Sequence, residues 1–185
     1  MRRLPSLLFA LLSLAVGATL IAPPDASASG LVREIKAGAL AHDVDGLWSG
    51  FSLERQSVDL NLEAILTPSM PFLFGTIRPA VGGTLNLDGG TSHGYIDARW
   101  EIEAPSGIFF AIGLGAAIHD GRIDPDRLDR KAFGSRVLFH IPIELGYRFD
   151  NHNSLSIYFE HMSNAGLASS NEGMDFLGLR YGYRF

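Results

Sequence analysis

The sequence predicts an all-β fold, an eight-stranded antiparallel transmembrane β-barrel, on three observations. Beyond an N-terminal apolar run, apolar residues recur on alternate positions, which is the period of a strand and not of a helix. No later run is long enough to cross a bilayer as a helix, although the mean hydropathy is mildly positive. The polar positions of several segments carry charges that would be costly in lipid, which assigns them to a lumen and their apolar neighbours to the membrane. Only helices and closed barrels satisfy every backbone polar group inside a bilayer, so spanning strands imply closure.

Met1-Arg2-Arg3 carries positive charge ahead of an apolar stretch from about Leu7 to Ile21, and Ala26-Ser27-Ala28 offers small residues for cleavage. That stretch falls short of the ~20 residues of a spanning helix, so residues 1–28 read as an export signal and 29–185 as one barrel domain. Without Arg2, Arg3 and Asp25 the formal charge moves from −5 to −6. Such a surface offers nothing basic to a nucleic acid. There is no cysteine, which excludes disulfides and thiolate metal sites.

Eight segments follow in order. The first, about Val32–Ala41, has an alternation blurred by Gly38 and several alanines, and a polar loop with Trp48 and Phe51 follows to Gln56. Ser57–Thr67 alternates cleanly, with Val58, Leu60, Leu62, Ala64 and Leu66 opposite Asp59, Asn61 and Glu63. Pro68 to Pro79 breaks the pattern, with Phe72-Leu73-Phe74 expected at a membrane border; the third segment then runs to about Leu87 and ends at the turn Asp88-Gly89-Gly90. The fourth, Ser92–Ala104, sets Tyr95, Asp97, Arg99, Glu101 and Glu103 against Ile96, Ala98, Trp100 and Ile102.

After Pro105-Ser106-Gly107 the fifth segment places Ile108 to Ile118 outward and the small Ala111, Gly113, Gly115 and Ala117 inward. A charged loop runs from Asp120 to about Phe133. The sixth, Gly134–Phe149, turns Val137 to Phe149 outward and Arg136, His140, Glu144 and Arg148 inward. The seventh, Ser154–Ser163, has Leu155, Ile157 and Phe159 outside, and the eighth, Met174–Phe185, has Leu177, Leu179, Tyr181, Tyr183 and Phe185 outside. Eight strands leave an interior filled by side chains, which argues against a diffusion pore. Short turns after segments four and six suit the periplasmic side, and the longer loops after one, five and seven the extracellular side. The terminal phenylalanine resembles the C-terminal signature of outer-membrane barrels.

Three polar residues interrupt the apolar outer series. His161 and Ser163 continue Leu155, Ile157 and Phe159, and Asp175 opens the series Leu177, Leu179, Tyr181, so all three leave the external face. Ten residues separate Asp175 from Phe185; at ~3.3 Å per residue and a tilt near 45° this is a climb of roughly 23 Å, to the height of outer-leaflet head groups. If His161 lies opposite Asp175, their Cβ atoms stand about 5 Å apart and the imidazole can bridge carboxylate and hydroxyl. A serine hydroxyl needs such a base to become a nucleophile, and the base needs a third group to fix its tautomer. The backbone amides of Asn164, Ala165 and Gly166 and the side-chain amides of Asn164 and Asn171 are candidate oxyanion donors.

At these residues the sequence resembles the lipid A 3-O-deacylases of the PagL type, outer-membrane enzymes of eight-stranded barrel fold. The match consists of His161-x-Ser163-Asn164-Ala165-Gly166-Leu167, Asn171-x-Gly173 and an acid at Asp175, and covers about the last 30 residues. The resemblance implies hydrolysis of the acyl ester at the 3 position of lipid A in lipopolysaccharide, with Ser163 as nucleophile, His161 as base and Asp175 as orienting acid. It implies a serine esterase with no metal or organic cofactor. The family usually places glutamate where this chain has Asp175; Glu172 is the substitute acid but has the wrong parity.

Plainer readings compete. A histidine and a serine at a strand end are commonly rim residues, and Asn164, Gly166 and Gly173 suit turns. Gly90-Thr91-Ser92-His93-Gly94 spells a nucleophile elbow, but no helix is expected after it, so it reads as a hairpin loop. Asp120, Asp124, Asp126 and Asp129 lack the glycine and terminal glutamate of a calcium loop. His42, His93, His119, His140 and His152 show no metal-ligand spacing, and His140 is expected in a lumen network with Glu144 or Arg136. The alternatives in function are a non-catalytic barrel acting as an adhesin or membrane-integrity protein through residues 42–56 and 120–133, or a phospholipase using the same triad. A homodimer hiding the outer wall is one arrangement that would restrain activity.

Overall fold

The computed structural model describes residues 30–185; the segment read as an export signal, residues 1–28, lies outside them. Strands β1 (Val32–Ala41), β2 (Val58–Leu66), β3 (Met70–Phe72), β4 (Gly75–Asn86), β5 (His93–Glu103), β6 (Ile108–His119), β7 (Val137–Arg148), β8 (Asn153–Ser163) and β9 (Met174–Arg184) follow in order, and no helix occurs among the described residues. Sequential antiparallel pairing carries the sheet round from β4 to β9, β9 pairs with β1, β1 with β2, and β2 with β4. The eight long strands therefore close into the expected barrel, and closure removes the unpaired edges that a bilayer could not satisfy.

Alternation decides which side chains enter the bore. Along β5, Tyr95, Asp97 and Arg99 are buried while Ile96 is exposed, and along β7, Leu138, His140 and Glu144 are buried while Val137, Phe139 and Leu145 are exposed. The exposed apolar residues of neighbouring strands add up to a continuous outer belt, a surface far too apolar for water and suited to lipid. Inside, charges replace an oily core. Glu144 receives Lys36 Nζ at 3.0 Å, Arg99 Nη2 at 2.7 Å and Arg180 Nη2 at 2.6 Å, and the Arg180 guanidinium lies 3.5 Å from the centre of the Tyr158 ring.

Three expectations change. The stretch from Pro68 to Pro79 is not a break up to its last proline: β3 and β4 form a hairpin there, and β4 starts at Gly75. Pro79 fits because β4 pairs with β3 through Ile77 and with β2 only from Ala80, so its missing N–H falls between the two partners. Arg136 does not point into the lumen; it precedes β7, is exposed, and donates to the carbonyls of His119 and Gly121. His140 pairs with neither Glu144 nor Arg136 but lies between Asp97 and Glu160.

One end of the barrel carries the turns 104–107 and 149–152. The other carries the connections 42–57, 87–92, 120–136 and 164–173, which fold over the opening. Buried polar contacts bind these loops together. His42 is held between Asp59 Oδ2 at 2.8 Å and Glu54 Oε2 at 3.0 Å, Glu54 also accepts from Thr91, and Lys131 pairs with Asp43 at 3.1 Å. Arg122 and Arg127 pair with Asp126 and Asp129 at the surface, and Thr91 and Ser92 lie in the loop before β5, as the plainer readings of both stretches expected.

Candidate active site

The register of one hairpin assembles the site. β8 and β9 pair so that His161 stands directly opposite Asp175, and Ser163 follows two residues later on the same outer face of β8. Asp175 Oδ1 lies 2.6 Å from His161 Nδ1, and Ser163 Oγ lies 2.9 Å from His161 Nε2. A carboxylate at Nδ1 requires the proton there, which leaves Nε2 as an acceptor for the serine O–H. The hydroxyl is thus hydrogen-bonded to a base whose tautomer is fixed by a buried acid.

The loop 42–57 completes the surroundings, and nothing in the sequence pattern announced it. Ser49 N–H donates to Asp175 Oδ2 at 2.6 Å, and Val44 N–H to the Asp175 carbonyl at 2.8 Å. The carboxylate therefore has one oxygen for the histidine and one held by the loop. Trp48 stacks on the His161 ring at 4.8 Å and 20°, and on Phe159 at 6.3 Å, so an exposed indole covers the lipid-facing side of the imidazole. Gly173 closes the other approach. A Cβ there would stand 2.8 Å from His161 Cε1 and 3.3 Å from Ser163 Cβ, so any side chain would press on both.

Beyond Ser163 the chain makes a tight turn, Asn164 to Leu167, closed by Leu167 N–H to the Asn164 carbonyl at 3.1 Å. Its central residues, Ala165 at φ 55° and Gly166 at φ 76°, are both left-handed, as a type I′ turn requires. Several of the expected oxyanion donors are already engaged. The Asn164 side chain donates to the carbonyls of Phe133 and Ser170 and accepts from Gly166 N–H, and Asn164 N–H donates to Asn171 Oδ1 at 3.0 Å. The Ala165 N–H and the Asn171 side-chain N–H groups have no partner among the described residues, and the Asn171 amide is anchored beside Ser163 through its oxygen. Glu172 is turned away from the histidine: its carboxylate accepts from Ala132 N–H, and its own N–H donates to the Ala132 carbonyl.

Residues 99–184 match the family model described as lipid A 3-O-deacylase (PagL). Over that stretch this chain is similar to the PagL family. A curated relative, the lipid A deacylase PagL of Bordetella bronchiseptica, is 31% identical over 77 residues, which is 42% of this chain and 41% of that protein. The crystal structure of the outer membrane enzyme PagL superposes with a TM-score of 0.61 at 22% identity, over 82% of this chain and 99% of that one. Neisserial surface protein A superposes at 0.49 with 10% identity, over 82% of this chain and 95% of that one. The PagL likeness thus extends to the whole barrel in fold, and in sequence to the half that carries His161, Ser163 and Asp175.

Proposed function

We propose that the protein is a serine esterase of the outer membrane that removes the 3-O-linked acyl chain of lipid A from lipopolysaccharide, exported by residues 1–28. The observation that carries this reading is the hydrogen-bonded series Ser163, His161, Asp175 on the apolar outer wall, within the stretch that matches the PagL family. A nucleophile on that wall meets substrates that lie in the bilayer, and its place at the end bearing the long loops supports a position level with the sugar-bearing leaflet.

In this reading Ser163 Oγ attacks the ester carbonyl as its proton passes to His161 Nε2. Asp175 holds the imidazolium that forms, as the acid of a catalytic triad does. The tetrahedral oxyanion is met by the Ala165 N–H and the Asn171 amide, the expected donors that have no partner among the described residues. Collapse breaks the bond to the sugar oxygen, which leaves with the proton from His161. Water, deprotonated by the same nitrogen, then releases the 3-hydroxy fatty acid and restores Ser163. No step calls for a metal or an organic cofactor.

Mass spectrometry of lipid A from cells making the protein tests the reading. The wild type is expected to yield lipid A lacking one 3-hydroxyacyl unit, and Ser163→Ala or His161→Ala to lower the rate by on the order of 10³-fold or more while the barrel still folds. Unchanged lipid A with released phospholipid acyl chains would move the substrate to phospholipid. Intact deacylation by Ser163→Ala would remove the mechanism.

A further inference from the structure

A second cluster lies inside the bore, away from the esterase site. His93 at the start of β5, His140 on β7 and Glu160 on β8 offer ligand atoms that all lie within 4.8 Å of one another, and all three side chains are fully buried. His93 Nε2 is 3.2 Å from Glu160 Oε1, and His140 Nε2 is 3.2 Å from Glu160 Oε2. We propose that these three residues bind one divalent transition-metal ion, of the zinc class, in the barrel lumen.

Charge supplies the first argument. Among the buried carboxylates of the bore, Asp59 is paired with His42 beneath the loops, and Glu34, Glu63 and Glu144 each pair with lysine or arginine. Asp97 and Glu160 do not; among the described residues their only cationic partners are His93 and His140. Two buried negative charges beside two imidazoles are balanced either by two extra protons or by one dication, and a buried carboxylate without compensation is expensive. The second argument is an unmet valence. Among the described residues His93 Nδ1 has no hydrogen-bond partner, and Nε2 meets only Glu160 Oε1, at 3.2 Å without an aligned hydrogen bond, although the side chain is fully buried. Orphaned polar atoms of this kind call for a missing water or ion.

The geometry fits that ion. Bonds of about 2.0–2.1 Å to nitrogen and oxygen at a tetrahedral centre put ligand atoms roughly 3.3 Å apart. Both histidine to glutamate separations are already near that value, each to a different oxygen of Glu160, and the three ligand atoms span no more than 4.8 Å, so a small closure completes the set. The supporting groups are also in place. His140 Nδ1 lies 3.0 Å from both Asp97 oxygens, the carboxylate–histidine pairing that orients metal-bound imidazoles. Thr84 and Tyr158 hydroxyls donate to the two Glu160 oxygens at 2.7 and 2.9 Å. Two imidazoles favour zinc, cobalt, nickel or copper over calcium or magnesium. Bound there, the ion would tie β5, β7 and β8 across the bore.

The test uses the full barrel refolded in detergent from metal-free denaturant, with Co²⁺ or Zn²⁺ or with EDTA. Expected for the wild type are one retained ion per chain, the visible absorption bands of four-coordinate Co²⁺, and a melting temperature several degrees above the EDTA sample. His93→Ala, with His93→Gln as the volume-conserving second variant, is expected to lose the bands and weaken binding by at least a hundredfold, while His152→Ala on the opposite turn changes nothing. Folding of each variant is read from heat-modifiable gel mobility. No retained ion in the folded wild type, or equal retention by a folded His93 variant, overturns the site. The outcome is independent of whether Ser163 is a nucleophile.

Discussion

Asp175 has a short side chain, and its reach depends on where the backbone puts it. Direct opposition to His161 brings Oδ1 to 2.6 Å, while the second oxygen is occupied by Ser49 N–H. Glu172 spends its carboxylate on the Ala132 amide. Replacing Asp175 by alanine is therefore expected to lower deacylation about 10³- to 10⁴-fold, since the histidine loses both its orientation and its counter-charge. Glu172→Ala removes one hydrogen bond between loops, worth about 1 kcal/mol net, and should change the rate by no more than about fivefold. Rates of fatty-acid release by the two variants decide the matter, and the reverse order would make Glu172 the acid. His161, Ser163 and Asp175 were legible in the sequence because facing in a strand is a question of odd or even position. Trp48 and Ser49 were not, because a loop residue's neighbour depends on how the loop closes, and no periodicity records that.

Among the elements, the loop 42–57 has most to do with the site while contributing none of the Ser163, His161 and Asp175 side chains. It reaches Asp175 through Ser49 and covers His161 with Trp48, and its base is His42, locked between Asp59 and Glu54. Burial opposes a charge on His42, but the hydrogen bonds to the two carboxylates outweigh it and raise its pKa to about 9. Burial likewise opposes ionised Glu54, and its bonds from His42 and Thr91 bring it down to about 2. A histidine raised from 6.5 contributes stability that is complete below 6.5 and lost as pH climbs through about 9. A glutamate lowered from 4.5 contributes stability that is complete above 4.5 and lost as pH falls through about 2. The loop should be held most firmly from about pH 4.5 to 6.5 and loosen towards pH 9. Trp48 emission, read in a Trp100→Phe background, is expected to shift with solvent exposure over pH 6.5 to 9 and to lose that transition in His42→Gln; a transition persisting in His42→Gln would place the latch elsewhere. The strands themselves were legible nearly to the residue where one face met charge and the other lipid. They were least so around β3 and β4, where prolines hid a strand that changes partners at Pro79.

At the scale of the whole molecule, the belt of apolar residues explains why the barrel enters a membrane, and the bore explains what holds it in one register. Lys36, Arg99, Arg148, Arg180 and Arg184 meet Glu34, Glu63, Glu101, Glu103 and Glu144 in one lumen network, five charges of each sign. The sequence revealed that these residues face inward; the partners across the bore follow only from closure, which joins residues over a hundred positions apart. Glu144 is the common partner of Lys36, Arg99 and Arg180, and it also accepts from the Ser156 hydroxyl. Glu144→Gln keeps the shape but removes the one charge those three cations share, and uncovering a buried ion in this way costs about 3–5 kcal/mol. Ser156→Ala removes one neutral donor and should cost about 1 kcal/mol. Urea unfolding in lipid vesicles, followed by tryptophan emission, is expected to show the Glu144 midpoint well below that of the Ser156 variant, which stays near the wild type. Equal midpoints for all three would mean that water in the bore solvates the cations, and that the outer strand contacts, not the lumen charges, set the stability of the barrel.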